Sequence, residues 1–403
     1  MKFGIIKERK NPPDRRVVFS PQKLKEFKNE FPQANIIVES SDIRVFSDNE
    51  YKNAGFLVTD NLSDCDVLLG VKEVPIDALI SGKKYFFFSH TIKKQPYNRK
   101  LLKAILEKNI ELYDHETIVK ENGARLIGFG RYAGIVGAYN GFRAIGLTTE
   151  KFNLPKAESL ENQQELIDNL KSIKLNLPNI KIALTGSGKV AYGAKEMLDA
   201  MNIKHVSVDD YLAQDFNEAV YCFIDVLDYN KRKDGQVVDN YDFYNNPQEY
   251  ESDFMRFAKV TDFFIAGHFF GDGSPYLFTR EDAKHQEFKI KYVADISCDI
   301  DGPVASTLRA STIENPVYGY HPQKEKEVDF KDDEAIVVMA VDNLPCELPK
   351  DASEGFGEMF LENVIPAFFN GDKDGVLARA KMTENGKLTP RFSYLQDYVD
   401  GKE

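Results

Sequence analysis

At 403 residues the chain is too long for one ordinary core and fits two domains, each long enough to bury a substantial interior. A formal net charge of −12 excludes the broad positive face that nucleic acid or an anionic membrane requires, while leaving room for local basic pockets that take small anions. Apolar runs such as 67–71 and 85–88 are far short of a membrane span, and the opening MKFGIIKERK reads as a strand and charged loop, not a signal peptide.

Along the chain, 3–6 reads as a strand and 21–31 as a helix with proline near its start. Further strands are expected at 36–38, 67–71, 85–89 and 110–113, with helical stretches such as 99–108 between them. Strands that are apolar on both faces and alternate with helices imply a parallel sheet covered on both sides. The segment 130–146 looks helical, and Gly130, Gly134, Gly137 and Gly141 fall in one stripe along it. That stripe permits close approach of a neighbouring element, either where two domains join or in a tight core contact. Residues 157–178 are polar, helical at best, and form the approach to a second αβ unit. Strands follow at 180–185, 204–208, 220–226, 263–266, 292–297 and 335–341, and the tyrosine-rich 228–256 reads as an insertion. From 352 onward a helical stretch gives way to polar turns. Cys65, Cys222, Cys298 and Cys346 are scattered without a CxxC pair, so free, mostly buried thiols in a reducing cytoplasm are expected. The six histidines show no metal-ligand spacing, and no metal site is expected.

The strand 180–185 runs directly into Gly186-Ser187-Gly188-Lys189-Val190-Ala191, which opens a helix through 201. A G-x-G-x-x-A pattern alone is weak; between a strand and a helix it gains meaning. Gly186 makes the tight turn, Gly188 lets backbone approach a pyrophosphate, and Ala191 lets helix and strand pack closely. The helix N-terminus supplies N–H groups and positive dipole to phosphates, and Lys189 adds a nearby cation. Asp209, at the end of the next strand, stands about where a ribose-binding acid belongs and disfavours a 2′-phosphate, although Lys204 and His205 could offset it. NAD(P)H is the expected cofactor, the choice between NAD and NADP staying open. Because this fingerprint begins past residue 180, the dinucleotide-binding domain lies in the second half. The fold class expected is α/β, with two Rossmann-like parallel-sheet domains facing a cleft, the second binding the dinucleotide.

In open parallel sheets, ligands bind beyond the carboxyl ends of the strands. The ionisable residues of the first domain collect there: Lys72 after 67–71, His90 after 85–89, Glu116 after 110–113, and Arg16 in the loop after the first strand. At the same edge of the second domain stand Gly267-His268, Asp299 and Asp342-Asn343.

The runs Gly70-Val71-Lys72-Glu73-Val74-Pro75 and Phe87-Phe88-Ser89-His90-Thr91-Ile92-Lys93 resemble the lysine–ketoglutarate reductase and saccharopine dehydrogenase (lysine-forming) family, which is related to alanine dehydrogenase. So do Gly128-Phe129-Gly130 with Tyr132-Ala133-Gly134, then Asp295-Ile296-Ser297-Cys298-Asp299, and Val341-Asp342-Asn343-Leu344-Pro345-Cys346-Glu347-Leu348-Pro349. The resemblance runs from about residue 5 to 368 and looks closest to the reductase half of the bifunctional lysine-degrading enzyme, whose glutamate-forming half has no counterpart here. It implies an acid/base pair in Lys72 and His90, with Glu116 tuning them. It further implies that Arg16 and Arg125 hold substrate carboxylates, with Phe129 in the cleft. Gly186, Ser187, Gly188, Lys189, Val190, Asp209, Gly267, Asp299, Val341, Asp342 and Leu344 would then contact the cofactor. The domains implied are 1–129 joined by 345–403 for substrate, and 130–344 for the dinucleotide. The activity implied is reductive condensation of L-lysine with 2-oxoglutarate, or oxidation of the product saccharopine. Alanine dehydrogenase, another opine-type dehydrogenase and a catalytically silent NAD(P)-binding regulator are the competing readings. A small amino acid and keto acid are the partners expected, with no nucleic acid or membrane; a homo-oligomer is left open.

Overall fold

The computed structural model describes residues 1–174, 177 and 179–402. Positions 175, 176 and 178, at the end of the expected approach segment 157–178, lie outside the described residues. The chain divides into two compact units, Met1–Phe129 with Pro349–Glu403, and Gly130–Leu348.

The first unit is built on six strands: β1 (Lys2–Ile5), β2 (Asn35–Glu39), β3 (Leu57–Thr59), β4 (Val67–Leu69), β5 (Lys84–Phe87) and β6 (Glu111–Asp114). They lie in the order β3-β2-β1-β4-β5-β6, every pairing parallel. Burial on both faces is why the β4 and β5 segments read as unbroken apolar runs. β3, three residues at the sheet edge with Leu57 largely exposed, carries no such signal and was not expected. The helix Pro21–Glu30 starts where foreseen because the Ser20 hydroxyl accepts the Lys23 amide at its N-terminus, and it buries Leu24 and Phe27. The C-terminal segment packs into this core: Phe368 meets Phe3 edge-on at 5.3 Å, and the Met382 amide donates to the Leu112 carbonyl at 2.8 Å. Because all six strands run the same way, the loops after β1, β4, β5 and β6 emerge at one edge.

The second unit holds β7 (Lys181–Thr185), β8 (Lys204–His205), β9 (Val220–Ile224), a hairpin of β10 (Asn230–Arg232) and β11 (Tyr250–Ser252), then β12 (Phe263–Ala266), β13 (Tyr292–Asp295), β14 (Val317–His321), β15 (Lys326–Val328) and β16 (Ile336–Met339). Its main sheet has the order β15-β14-β16-β13-β12-β7-β9-β8, with β14 and β15 antiparallel and the rest parallel. β14 and β15 were not expected: VYGYH carries a glycine and KEV is short and mostly exposed. The glycine stripe lies on the helix Gly130–Thr149, inside this unit. A Cβ on Gly134 would sit 2.7 Å from the Ala194 amide nitrogen, and one on Gly193 would sit 2.9 Å from the Arg131 carbonyl carbon, so two helices touch backbone to backbone. Gly137 and Gly141 instead meet Ile296 and Ala294 of the sheet. The stripe is a core contact shared between two neighbours.

One expectation needs correcting. The strand foreseen at 204–208 ends at His205, because the Ser207 hydroxyl caps the helix Val208–Ala213 and accepts the Asp210 amide at 3.1 Å. Asp209 is therefore an exposed residue in the first turn of a helix, not a strand-end acid.

Candidate active site

Four loops at the carboxyl edge of the first sheet bring a charged cluster together. His90 follows β5 with a φ of 54°, a left-handed conformation that costs a β-carbon-bearing residue about 1 kcal/mol and is held by its surroundings. Its Nδ1 lies 3.3 Å from Glu116 Oε2 and its Nε2 lies 4.0 Å from Glu73 Oε1. The other Glu116 oxygen takes Arg125 at 3.0 Å and Lys93 at 3.6 Å. Burial pushes the Glu116 carboxyl up, but the His90 hydrogen bond and the Lys93 and Arg125 charges overcome it and bring it down to about 2. An anion so placed makes His90 the donor through Nδ1–H, which leaves the Nε2 lone pair to act as base.

The depressed Glu116 has a consequence for acid stability. A carboxylate with a lowered folded-state pKa contributes stability above its unfolded value, and that contribution is lost as pH falls toward the folded value. Glu116→Gln is therefore expected to flatten the loss of stability between about pH 5 and about pH 2, read as denaturation midpoints of the two proteins.

Arg16 is placed differently from Arg125. It is buried, forks onto Asp14 through Nε at 3.0 Å and Nη2 at 2.6 Å, and lies 4.2 Å above the Phe129 ring. Phe129 in turn stacks on Phe356 at 4.5 Å. Burial raises the Asp14 carboxyl, yet the Arg16 guanidinium wins and holds it at about 2, with Lys72 adding to the pull. Arg125 is largely exposed and pairs with Glu116 at 3.0 Å.

Two residues that sequence reasoning passed over hold the turn that carries Lys72. Glu8, buried, accepts the Val71 amide at 2.7 Å on one oxygen and the Lys72 amide at 2.8 Å on the other. Burial pushes its carboxyl up to about 8, against these amides, which favour the anion. His115, also buried, donates through Nε2 to the Gly70 carbonyl at 2.8 Å, while its Nδ1 has no partner among the described residues. Burial holds it neutral, down to about 4. Glu8 sits in the charged string Lys7-Glu8-Arg9, which looks solvated, and His115 sits between two acids. Neither reveals a partner dozens of residues away.

The glycine turn of the second unit follows β7. Gly186 has a φ of 106°, and a Cβ there would meet the Gly267 carbonyl oxygen at 2.6 Å, so glycine is required at this tight crossing. Gly188 caps the helix Lys189–Ala200 with nothing within 4 Å of where a Cβ would stand. Gly186, Ser187, Gly188, Lys189, Val190 and Gly267 line one cavity of roughly 420 Å³, closed by Tyr229, Tyr244, His268 and Phe269. His268 Nδ1 meets the Thr185 hydroxyl at 2.8 Å, and its buried Nε2 has no partner among the described residues. Open backbone at a helix N-terminus beside a cavity of this size fits the phosphates of a dinucleotide.

The other expected cofactor residues do not line that cavity. Asp299, half-buried and raised by burial, and the exposed Asp342 both lie within electrostatic reach of Cys298. Val341 is buried and bridged to Ser311, and Leu344 is buried, its Cδ1 3.2 Å from where a Cβ on Gly137 would be. All four cysteines are free, Cys65 and Cys222 buried and Cys298 and Cys346 partly so. No metal was expected, yet His321, Asp332 and Glu334 bring ligand atoms within 4.8 Å of one another, with His321 Nε2 2.9 Å from Glu334 and its Nδ1 accepting the Lys324 amide. No helix among the described residues is long and apolar enough to cross a membrane.

Two α/β units, one with a glycine turn on a helix N-terminus, give this chain the fold of alanine dehydrogenase. An L-alanine dehydrogenase structure superposes with a TM-score of 0.64 at 16% identity, covering 99% of this chain and 100% of that one. A transhydrogenase from Sinorhizobium meliloti gives 0.58 at 15% identity, covering 96% and 99%. Residues 4–136 match the model of the alanine dehydrogenase/PNT N-terminal domain family. In sequence the chain is related to alpha-aminoadipic semialdehyde synthases and to saccharopine dehydrogenases. It is 28% identical to the mitochondrial synthase of Mus musculus over 91% of this chain and 45% of that protein. It is 24% identical to the saccharopine dehydrogenase [NAD(+), L-lysine-forming] of Yarrowia lipolytica over 82% of this chain and 83% of that one. The chain thus spans about half the length of the synthases that it matches.

Proposed function

We propose that this protein is an oxidoreductase that forms or oxidises saccharopine, condensing the amine of L-lysine with 2-oxoglutarate. The observation that carries this reading is the His90–Glu116–Arg125 chain beside Lys72 at the carboxyl edge of the first sheet. The names of the sequence relatives support the substrate pair.

Joining an amine to a keto acid needs one group to take a proton from the amine and another to protonate the departing hydroxyl. His90 Nε2 takes the amine proton, and the Glu116 anion stabilises the imidazolium that results. The Lys72 ammonium delivers the proton with which the carbinolamine hydroxyl leaves as water. Arg125 offers its exposed guanidinium to a carboxylate of the keto acid, a geometry that planar forks favour. Arg16, already forked onto Asp14, orders the loop and the Phe129 ring, so its part in holding substrate is secondary to that of Arg125. Gly186, Ser187, Gly188, Lys189, Val190 and Gly267 would hold a reduced nicotinamide dinucleotide, which would supply hydride for reduction of the imine.

Glu8 and His115 fix the backbone from which Lys72 extends. His115→Phe keeps the aromatic packing against Phe88, Phe356 and Phe360 and removes only the hydrogen bond to Gly70. It is expected to leave the melting temperature within a few degrees of the parent while lowering kcat by about tenfold. Parallel measurement of thermal midpoint and kcat checks this; a loss of kcat that tracks a loss of stability contradicts it.

The reading is tested by initial rates of NADH and NADPH oxidation with lysine plus 2-oxoglutarate, against pyruvate plus ammonia. Turnover with the first pair is expected. Turnover with pyruvate and ammonia alone makes the protein an alanine dehydrogenase in activity as well as fold.

A further inference from the structure

In the strand order 3-2-1-4-5-6, the acid that takes the ribose hydroxyls of a dinucleotide ends strand 2, the immediate neighbour of the strand that leads into the glycine turn. Chain order assigns that place to β8, the first strand after the glycine-turn helix. The sheet does not. β9 lies beside β7, pairing along all five residues of Lys181–Thr185, and the Gly186 amide donates to the Ile224 carbonyl at 3.1 Å. β8 is displaced to the outer edge and pairs with β9 alone. Asp209, with Lys204 and His205, moves outward with it, and Lys204 faces Glu218 at 3.9 Å.

The residue that ends β9 is Asp225. It is half-buried, one carboxylate oxygen accepts the Val226 amide at 2.7 Å, and the other accepts the Asn240 side-chain amide. The insertion 228–256 ties this corner to the glycine turn: Tyr244 hydrogen-bonds Ser187 and feels the Asp225 charge, and both tyrosines of the cavity wall come from around the insertion. Asp228 stands close by and is raised by burial and by repulsion from Asp225, so the corner is acidic.

We propose that Asp225, and not Asp209, is the ribose-facing acid of this chain, and that it selects a dinucleotide with a free 2′-hydroxyl, NAD(H), over its 2′-phosphorylated counterpart. The assignment rests on the second unit binding a nicotinamide dinucleotide. A hydroxyl donates to the carboxylate, whereas a phosphate dianion meets the Asp225 carboxylate as a like charge; Lys204 and His205 lie at the outer edge, and the nearer Arg256 is held on the Asp228 carbonyl at 2.6 Å.

The test is fluorescence titration of the full chain with NADH and with NADPH, for the parent, Asp225→Asn and Asp209→Asn. Asparagine is as good a helix cap as aspartate, so Asp225→Asn keeps the turn and removes the charge. The parent is expected to bind NADH about tenfold or more tighter than NADPH, a preference that Asp225→Asn lowers by about tenfold and Asp209→Asn leaves in place. Equal or tighter binding of NADPH by the parent overturns the proposal, as does a preference that follows Asp209. If neither dinucleotide binds, the dinucleotide reading falls and takes this assignment with it. Because the readout is binding, inactivity toward lysine and 2-oxoglutarate does not bear on it.

Discussion

Replacing Lys72 by methionine, or His90 by glutamine, is expected to lower kcat by about 10²–10⁴-fold while leaving dinucleotide affinity nearly unchanged. The expectation follows from where the two groups sit. Both belong to the first unit, at the ends of β4 and β5, and the glycine turn belongs to the second. Methionine fills the space of the lysine stem without a transferable proton, and glutamine keeps a polar side chain without a ring nitrogen that can act as base. Neither change touches the amides that Glu8 holds or the Gly70 carbonyl that His115 meets. Steady-state rates beside fluorescence titration of NAD(P)H separate the two effects. A variant that loses dinucleotide binding together with turnover contradicts the acid/base roles.

The largest expected effect on stability comes from the helix pair of the second unit. Gly134→Val places two methyl groups where even a Cβ would lie 2.7 Å from one backbone atom of the helix Lys189–Ala200 and 2.9 Å from another. Backbone cannot rotate out of the way as a side chain can, so the helices must separate. A cost of about 3 kcal/mol or more is expected, seen as a fall in denaturation midpoint. Moving that helix also shifts the N-terminus that begins at Lys189, so dinucleotide affinity is expected to fall as well. Gly82→Ala is a useful comparison: a Cβ there has nothing within 4 Å, and only its φ of 72° opposes the change.

The parallel sheets were legible because their central strands are buried on both faces and stand out as unbroken apolar runs, as in β5 and β12. Two edge strands were not: β3 and β15 are three residues long without a buried residue and carry no periodic signal, whereas β8 was expected but ends at His205 and not at 208. The order of strands was the deeper failure. Nothing in residues 204–226 tells that β9 inserts between β7 and β8, because both strands are short and each would satisfy β7 as a neighbour. The expectation for Asp209 depended on that order and moved with it.

In the site, strand-end position made Lys72, His90 and Glu116 visible, since each lies within a few residues of the end of an expected strand. The partners that set their chemistry come from other loops. Asp14 occupies Arg16, Glu8 holds the Lys72 turn, and His115 looks like one more polar residue in Asp114-His115-Glu116 until its ring is found buried among Phe88, Phe356 and Phe360. Burial of a charged side chain depends on what packs over it, which a local pattern of residues does not encode.

The most direct test of the proposed chemistry is the product itself. The protein would be incubated with lysine, 2-oxoglutarate and reduced nicotinamide dinucleotide bearing deuterium at the transferable position, and the mixture read by mass spectrometry. A single secondary amine that carries both carbon skeletons and one deuterium is the result expected. Deuterium recovered only in a primary amino acid formed from the keto acid and ammonia, with no joined product, would contradict it.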